Sequence, residues 1–238
     1  MKASVVTKYE LCIPFDYLSE PVEKAELNKL LNAVLRQSAK AHKWKCSRGY
    51  IFKATELLFF SINILGQAKQ RRLLYSLDFK LLAFDDLFWK IVKSEESLKQ
   101  PLSFRAFGAW TAPTTKISEG ELSIADWEVM SVQNSVNEII AKCELDSEKV
   151  ANEIDGLDAN MRFIERSFMR LKNKYPDSVS NIWRERLFTS ILKREYWDSE
   201  KIVRDRIGKF DTGGFQVGNR SFYDLANEYL QTLLRNSN

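Results

Sequence analysis

An α+β fold is what the hydrophobic periodicity predicts: an N-terminal helix plus a small antiparallel sheet, followed by an all-helical C-terminal half. Apolar residues first recur at helical spacing, then alternate with polar ones in neighbouring stretches, and from Ile124 onward recur at helical spacing again. Scarce punctuation agrees, since 9 Gly and 5 Pro in 238 residues are too few for a loop-rich all-β chain.

The opening helix is read from Glu20 to His42. Leu27, Leu30, Leu31, Val34, Leu35, Ser38 and Ala41 follow its period, and Ser19-Glu20-Pro21 supplies a start signal with Pro near the first turn. Ser47-Arg48-Gly49 breaks it. Tyr50 to Lys53 reads as a short strand, and Leu58, Phe60, Ile62 and Ile64 as the apolar side of the next. Gly66-Gln67 marks a turn, after which Leu73, Tyr75, Leu77, Phe79 and Leu81 alternate with Ser76, Asp78 and Lys80. Short turns between such strands imply an antiparallel sheet with one buried and one wet face. A short helix is expected at Asp85–Val92, and one more strand within Pro101–Pro113, through Leu102, Phe104 and Phe107.

Apolar stripes then mark the helical half. Val129 to Cys143 forms the first, and Leu157 to Leu171 the second, ended by Tyr175-Pro176. Val179, Ile182, Trp183, Leu187 and Ile191 form the third, and Ile202, Val203 and Ile207 a shorter fourth. The last helix opens on Ser221 with Asp224 three residues on, close to a capping box. The division falls in the polar stretch Thr114–Ser123, giving an α+β domain at 1–115 and a helical domain or layer at 116–238.

Composition excludes several classes. Apolar residues at 45% and charged residues at 29% do not fit a disordered tail, a collagen-like chain or a membrane bundle. Cys12, Cys46 and Cys143 are odd in number and widely spaced, and are read as reduced thiols of a cytosolic protein. Met1–Leu18 is interrupted by Lys2, Lys8, Glu10 and Asp16, so no secretory signal is expected.

A net charge of +4 conceals segregation. Leu27–Thr55 carries seven cations and no acid, a net of +7; Ile117–Asp158 carries eleven acids against Lys142 and Lys149, a net of −9. At about 100° per residue, Lys29, Arg36, Lys40 and Lys43 fall within roughly 60° on the helix face opposite the Leu/Val stripe. Trp44, Tyr50 and Phe52 follow, interleaved with Lys45, Arg48 and Lys53; Lys69, Arg71 and Arg72 come at the next turn. Cations near aromatics suit phosphate contact and base stacking, yet no zinc-finger spacing, RNP1 stretch or GXXG loop accompanies them. The alternatives are a solvated face, a face docked on the chain's own acidic helices, or a site for an acidic protein.

Chemistry is thinly represented. His42 is the sole histidine and is read as a terminal residue of its helix. Asp78-x-Lys80 has the spacing of metal-dependent nucleases, with Glu56 as a further acid, but solvated residues on a wet strand face have the same spacing. Asp85 and Asp86 are read as helix-capping acids. Gly213-Gly214 and Gly218 before the last helix are read as a loop or turn. The aromatic cluster Phe84, Phe88, Trp89, Phe104, Phe107 and Trp110 is core or interface.

The function expected is a cytosolic, non-catalytic binding protein with a protein partner, no cofactor, no metal and no membrane association. Its partner-binding residues are Arg36, Lys40, Lys43, Trp44, Lys45, Arg48, Lys53, Arg71, Arg72 and Trp110. A nucleic-acid partner on the same basic face is the alternative, and a nuclease-like hydrolase the third reading.

Overall fold

The computed structural model of the chain describes residues 21–106, 110–177 and 181–236. The helix start at Ser19-Glu20, Cys12, the Met1–Leu18 reading, Phe107 and Val179 lie outside those residues. The first part comprises α1 (Pro21–Ala41), β1 (Lys45–Ser47), β2 (Tyr50–Ala54), β3 (Leu58–Gln67), β4 (Arg72–Leu81) and α2 (Leu82–Ile91). After two 3₁₀ turns come β5 (Thr115–Ser123), α3 (Val129–Glu153), α4 (Leu157–Lys174), α5 (Trp183–Leu192) and α6 (Tyr196–Gly208). A two-residue hairpin, β6 (Gln216–Val217) and β7 (Arg220–Ser221), leads into α7 (Phe222–Asn236). The protein is α+β, with seven helices among the described residues and a five-stranded antiparallel sheet in the order β1-β2-β3-β4-β5.

Register explains how the sheet is covered. Leu81, Phe79, Leu77, Tyr75 and Leu73 on β4 stand opposite Leu58, Phe60, Ile62, Ile64 and Gly66 on β3, so one face is apolar throughout. On it α1 presses Leu27 and Leu31 against Gly66, where a Cβ would meet Leu31 Cδ1 at 2.9 Å and the Trp127 ring at 3.1 Å. Gly66 therefore stays inside β3 as a point of close approach, and the turn expected there falls at 68–71. From α3, Lys142 Nζ sits 5.4 Å above the Tyr75 ring, and from α4, Phe163 meets Phe79 edge-on at 5.2 Å.

The opposite face is not uniformly wet. Phe52 stacks on Phe59 at 5.8 Å, and Lys80, opposite Phe59, is buried under the segment after α2. That segment holds a 3₁₀ turn at Leu102–Ala106 where a strand was expected. Its anchors are Trp89 Nε1, which donates to the Trp110 carbonyl, and the backbone N–H of Ala112, which donates to Asp85 at 2.7 Å.

The polar stretch at 114–123 is β5 rather than a connection. Alternation fails there because a bulge between Leu77 and Asp78 of the β4 pairing leaves Ile117 as the extra residue. Beyond the sheet, α2, α5 and α7 join through Phe84, Phe88, Phe188, Phe215 and Phe222, whose ring centres lie 5.2–5.9 Å apart. One continuous cluster of buried apolar side chains runs from α1 to α7.

With so few glycines, helix ends use other residues at the left-handed position. After α1, Lys43 N–H donates to Lys40 O and Trp44 N–H to Ala39 O, with Lys43 at φ 60°. Lys93, Arg194 and Phe210 occupy the same place after α2, α5 and α6. At the other pole, Ser221 and Asp224 exchange the reciprocal hydrogen bonds of a capping box at the start of α7.

Candidate functional site

The C-terminal half of α1 and the β1–β2 hairpin carry the basic cluster. Leu27, Leu31, Val34 and Leu35 turn inward, which leaves Lys29, Arg36 and Lys40 exposed on the outer line of the helix. Lys43 does not continue that line: α1 ends at Ala41, and the left-handed turn redirects the chain. It is exposed nonetheless, beside Lys45 at the sheet edge. Arg48 and Gly49, at φ 50° and 83°, form the two-residue turn from Ser47 to Tyr50. Arg36 lies close enough to Cys46 for its charge to lower a thiol that burial raises.

Among the described residues, no carboxylate pairs with Lys29, Arg36, Lys40, Lys43 or Lys45. Among the described residues, five of the eleven acids of 117–158 pair with other lysines and arginines. Glu119 takes Lys116 and Lys174, Glu121 takes Arg72, Asp146 takes Lys149, Glu153 takes Arg166 and Asp158 takes Lys193. The basic helix does pack beside the acidic one, and where they meet His42 Nδ1 lies 3.6 Å from Glu144 Oε2.

The other expected site residues separate from this surface. Trp44 is buried at 4% exposure and its ring is capped by Lys53 Nζ at 4.5 Å; Phe52 is also buried. The faces needed for base stacking are therefore already used. Arg71 donates to the Ala125 carbonyl, and Arg72 is held by Gln67 and Glu121. Trp110 packs edge-on against Phe215 at 5.1 Å, within the aromatic cluster of the helical half.

Asp78 and Lys80 do not share a wet site. The Lys80 ammonium is enclosed with Asp85, whose carboxylate also accepts from Arg105. Asp78, paired across the sheet with Ser61 and Lys116, accepts a hydrogen bond from Ser76. Burial raises the Asp78 carboxyl above its ordinary range against the effects of Ser76 and Lys116. Glu56 sits exposed in the β2–β3 turn. Among the described residues, no three His, Cys, Asp or Glu side chains gather as a metal site.

A second cationic locus lies at the β5 edge, where neither Arg170 nor Lys174 stood out in the sequence. The Ile117 carbonyl at the bulge receives Arg170 Nη2 at 2.9 Å. Lys116 and Lys174 hold the two oxygens of Glu119 at 2.6 and 2.7 Å. Partial burial works to raise the Glu119 carboxyl, but these hydrogen bonds and the charges behind them prevail and bring it down to about 2. The sequence offered one faint signal, the Arg170/Lys174 spacing of four on α4; tertiary packing supplies the rest.

No helix among the described residues is long and apolar enough to cross a membrane. No protein-family model, curated protein or solved structure matches this chain.

Proposed function

We propose that the chain is an interaction protein whose α1–β1 surface receives an acidic protein partner. The observation that carries this reading is that, among the described residues, Arg36, Lys40, Lys43 and Lys45 are exposed and form no ion pair, while five acids of the 117–158 stretch are held by cations outside this surface. Exposed charges at an interface rim keep much of their hydration and steer an oppositely charged molecule into place.

An acidic protein fits better than a nucleic acid. Trp44 and Phe52 are buried, which removes the stacking platforms single strands use. The sequence pI of 8.8 also falls short of the strongly basic character usual for a nucleic-acid-binding domain. Lys29, Arg36 and Lys40 span eleven positions along one helix line, roughly 16 Å at 1.5 Å per residue, a length suited to an acidic helix or extended segment.

The reading is tested by fluorescence anisotropy with a labelled poly-glutamate peptide. Binding that weakens steadily with salt, and by about tenfold or more in the double variant Lys40→Glu/Lys43→Glu, is expected. Equal binding by the variant and the unaltered chain would overturn it.

A further inference from the structure

We propose that the crevice between β5 and the end of α4 is a binding site for a small, multiply charged oxyanion, with Glu119 as its built-in placeholder. The crevice measures about 270 Å³ and is lined by Lys116, Ile117, Ser118, Glu119, Arg170 and Lys174, with Leu171 at its apolar side. It stands on the strand edge opposite β1 and makes no use of the α1 surface.

Charge is the first argument. Three cations face one carboxylate, so the crevice keeps a net excess of two positive charges after its internal pairing. Glu119 takes one oxygen to each lysine, and Tyr175 adds its hydroxyl at 3.2 Å. A side-chain carboxylate held this way occupies the position an incoming oxyanion would take.

Unused donors are the second. A guanidinium carries five N–H groups, and the bond from Arg170 to Ile117 O fixes the plane while leaving donors for a bidentate contact. The Ser118 hydroxyl oxygen is buried and has no hydrogen-bond partner among the described residues, although its residue lines the crevice. A buried hydroxyl without a partner is a cost the fold carries, and an oxyanion oxygen at the crevice floor relieves it.

Size sets the ligand class. Pockets for drug-sized molecules begin at about 300 Å³, so this one suits a phosphate ester or a small polycarboxylate rather than a nucleotide. The ligand must carry more than one negative charge, since it competes with Glu119 for two lysines at once.

The experiment is isothermal titration of the full chain with inorganic phosphate and, separately, citrate, at constant ionic strength. Three proteins are compared: the unaltered chain, Glu119→Gln, and Glu119→Gln combined with Arg170→Ala and Lys174→Ala. Arg170 and Lys174 are exposed, so their truncation leaves the core intact, and circular dichroism verifies folding. The expected result is binding of at least one of the two anions about tenfold more tightly by Glu119→Gln than by the unaltered chain. The combined variant should lose that gain. Phosphate alone would identify a phosphoryl ligand and citrate alone a carboxylate ligand, and both outcomes support the site. No binding of either anion by Glu119→Gln, or equal binding by the combined variant, would overturn it.

Discussion

Lys80 Nζ lies 2.8 Å from Asp85 Oδ1, and both side chains are out of solvent. The pair joins the end of β4 to α2 and ties down the following segment, because Asp85 also accepts from the Ala112 backbone and from Arg105. Burial lowers the Lys80 ammonium pKa, and the Asp85 charge opposes that shift. Replacing Asp85 by Asn leaves a buried cation without its counter-charge, a loss of about 3–5 kcal/mol. Lys80→Met is expected to cost less, since Asp85 keeps Arg105 and the Ala112 N–H. Urea denaturation midpoints give the comparison, and equal losses would show that the charge pair is not what holds the corner.

Arg194 occupies the left-handed position after α5 at φ 63°. A side chain there is strained by about 1–2 kcal/mol, while glycine costs about 0.5–1 kcal/mol more in lost chain entropy. Arg194→Gly is therefore expected to stabilise the protein by a few tenths to about 1 kcal/mol, seen as a raised melting temperature. A lowered melting temperature would contradict the assignment of this helix end.

Burial pushes the Cys143 thiol up to about 12, with the Asp146 charge acting in the same direction. The thiolate is the reactive form, so native Cys143 should resist alkylation at neutral pH and react only on unfolding. Peptide mapping after iodoacetamide treatment reads this directly. Labelling of Cys143 in the folded protein at the rate of an exposed thiol would show that α3 opens.

Glu119 titrates at about 2 in the folded chain against an ordinary 4.5. A depressed carboxyl stabilises the fold fully above the ordinary value, and that contribution disappears as pH falls from 4.5 towards 2. The unaltered chain should thus lose stability over this window more steeply than Glu119→Gln, with solvent screening keeping the difference small. Denaturation midpoints across the window test it, and superimposed acid limbs would remove the Lys116–Glu119–Lys174 bridge.

Helices with wide apolar stripes were legible because one period runs over many residues, as at Val132, Val136, Ile139 and Cys143 of α3. The alternation from Leu73 to Leu81 marked β4 for the same reason. β5 escaped because its bulge at Ile117 shifts the period and its edge position favours charge over apolar side chains. The segment at Leu102–Ala106 misled because aromatic residues that cover a sheet resemble those that belong to one.

The basic residues of α1 and β1 were visible through composition and helical projection alone. What the sequence did not reveal is which of them have partners. Lys43 left the projected face because a helix can end on a non-glycine residue when the following Trp44 is buried and fixes the turn. Arg72 found Glu121, Trp110 found Phe215 and Glu119 found Lys174, all distant in the chain. Such pairings depend on strand register and helix placement, which local spacing does not encode.

The α1–β1 surface meets its most direct test in parallel anisotropy titrations of the full chain with labelled poly-glutamate and a short DNA duplex across a range of salt concentrations. The result expected is tighter binding of the peptide at every salt concentration, with Lys40→Glu/Lys43→Glu reducing it and Lys149→Glu, whose ammonium already serves Asp146, leaving it unchanged. Tighter binding of the duplex, or an equal loss in all charge-reversed variants, would contradict an acidic protein docking at this surface.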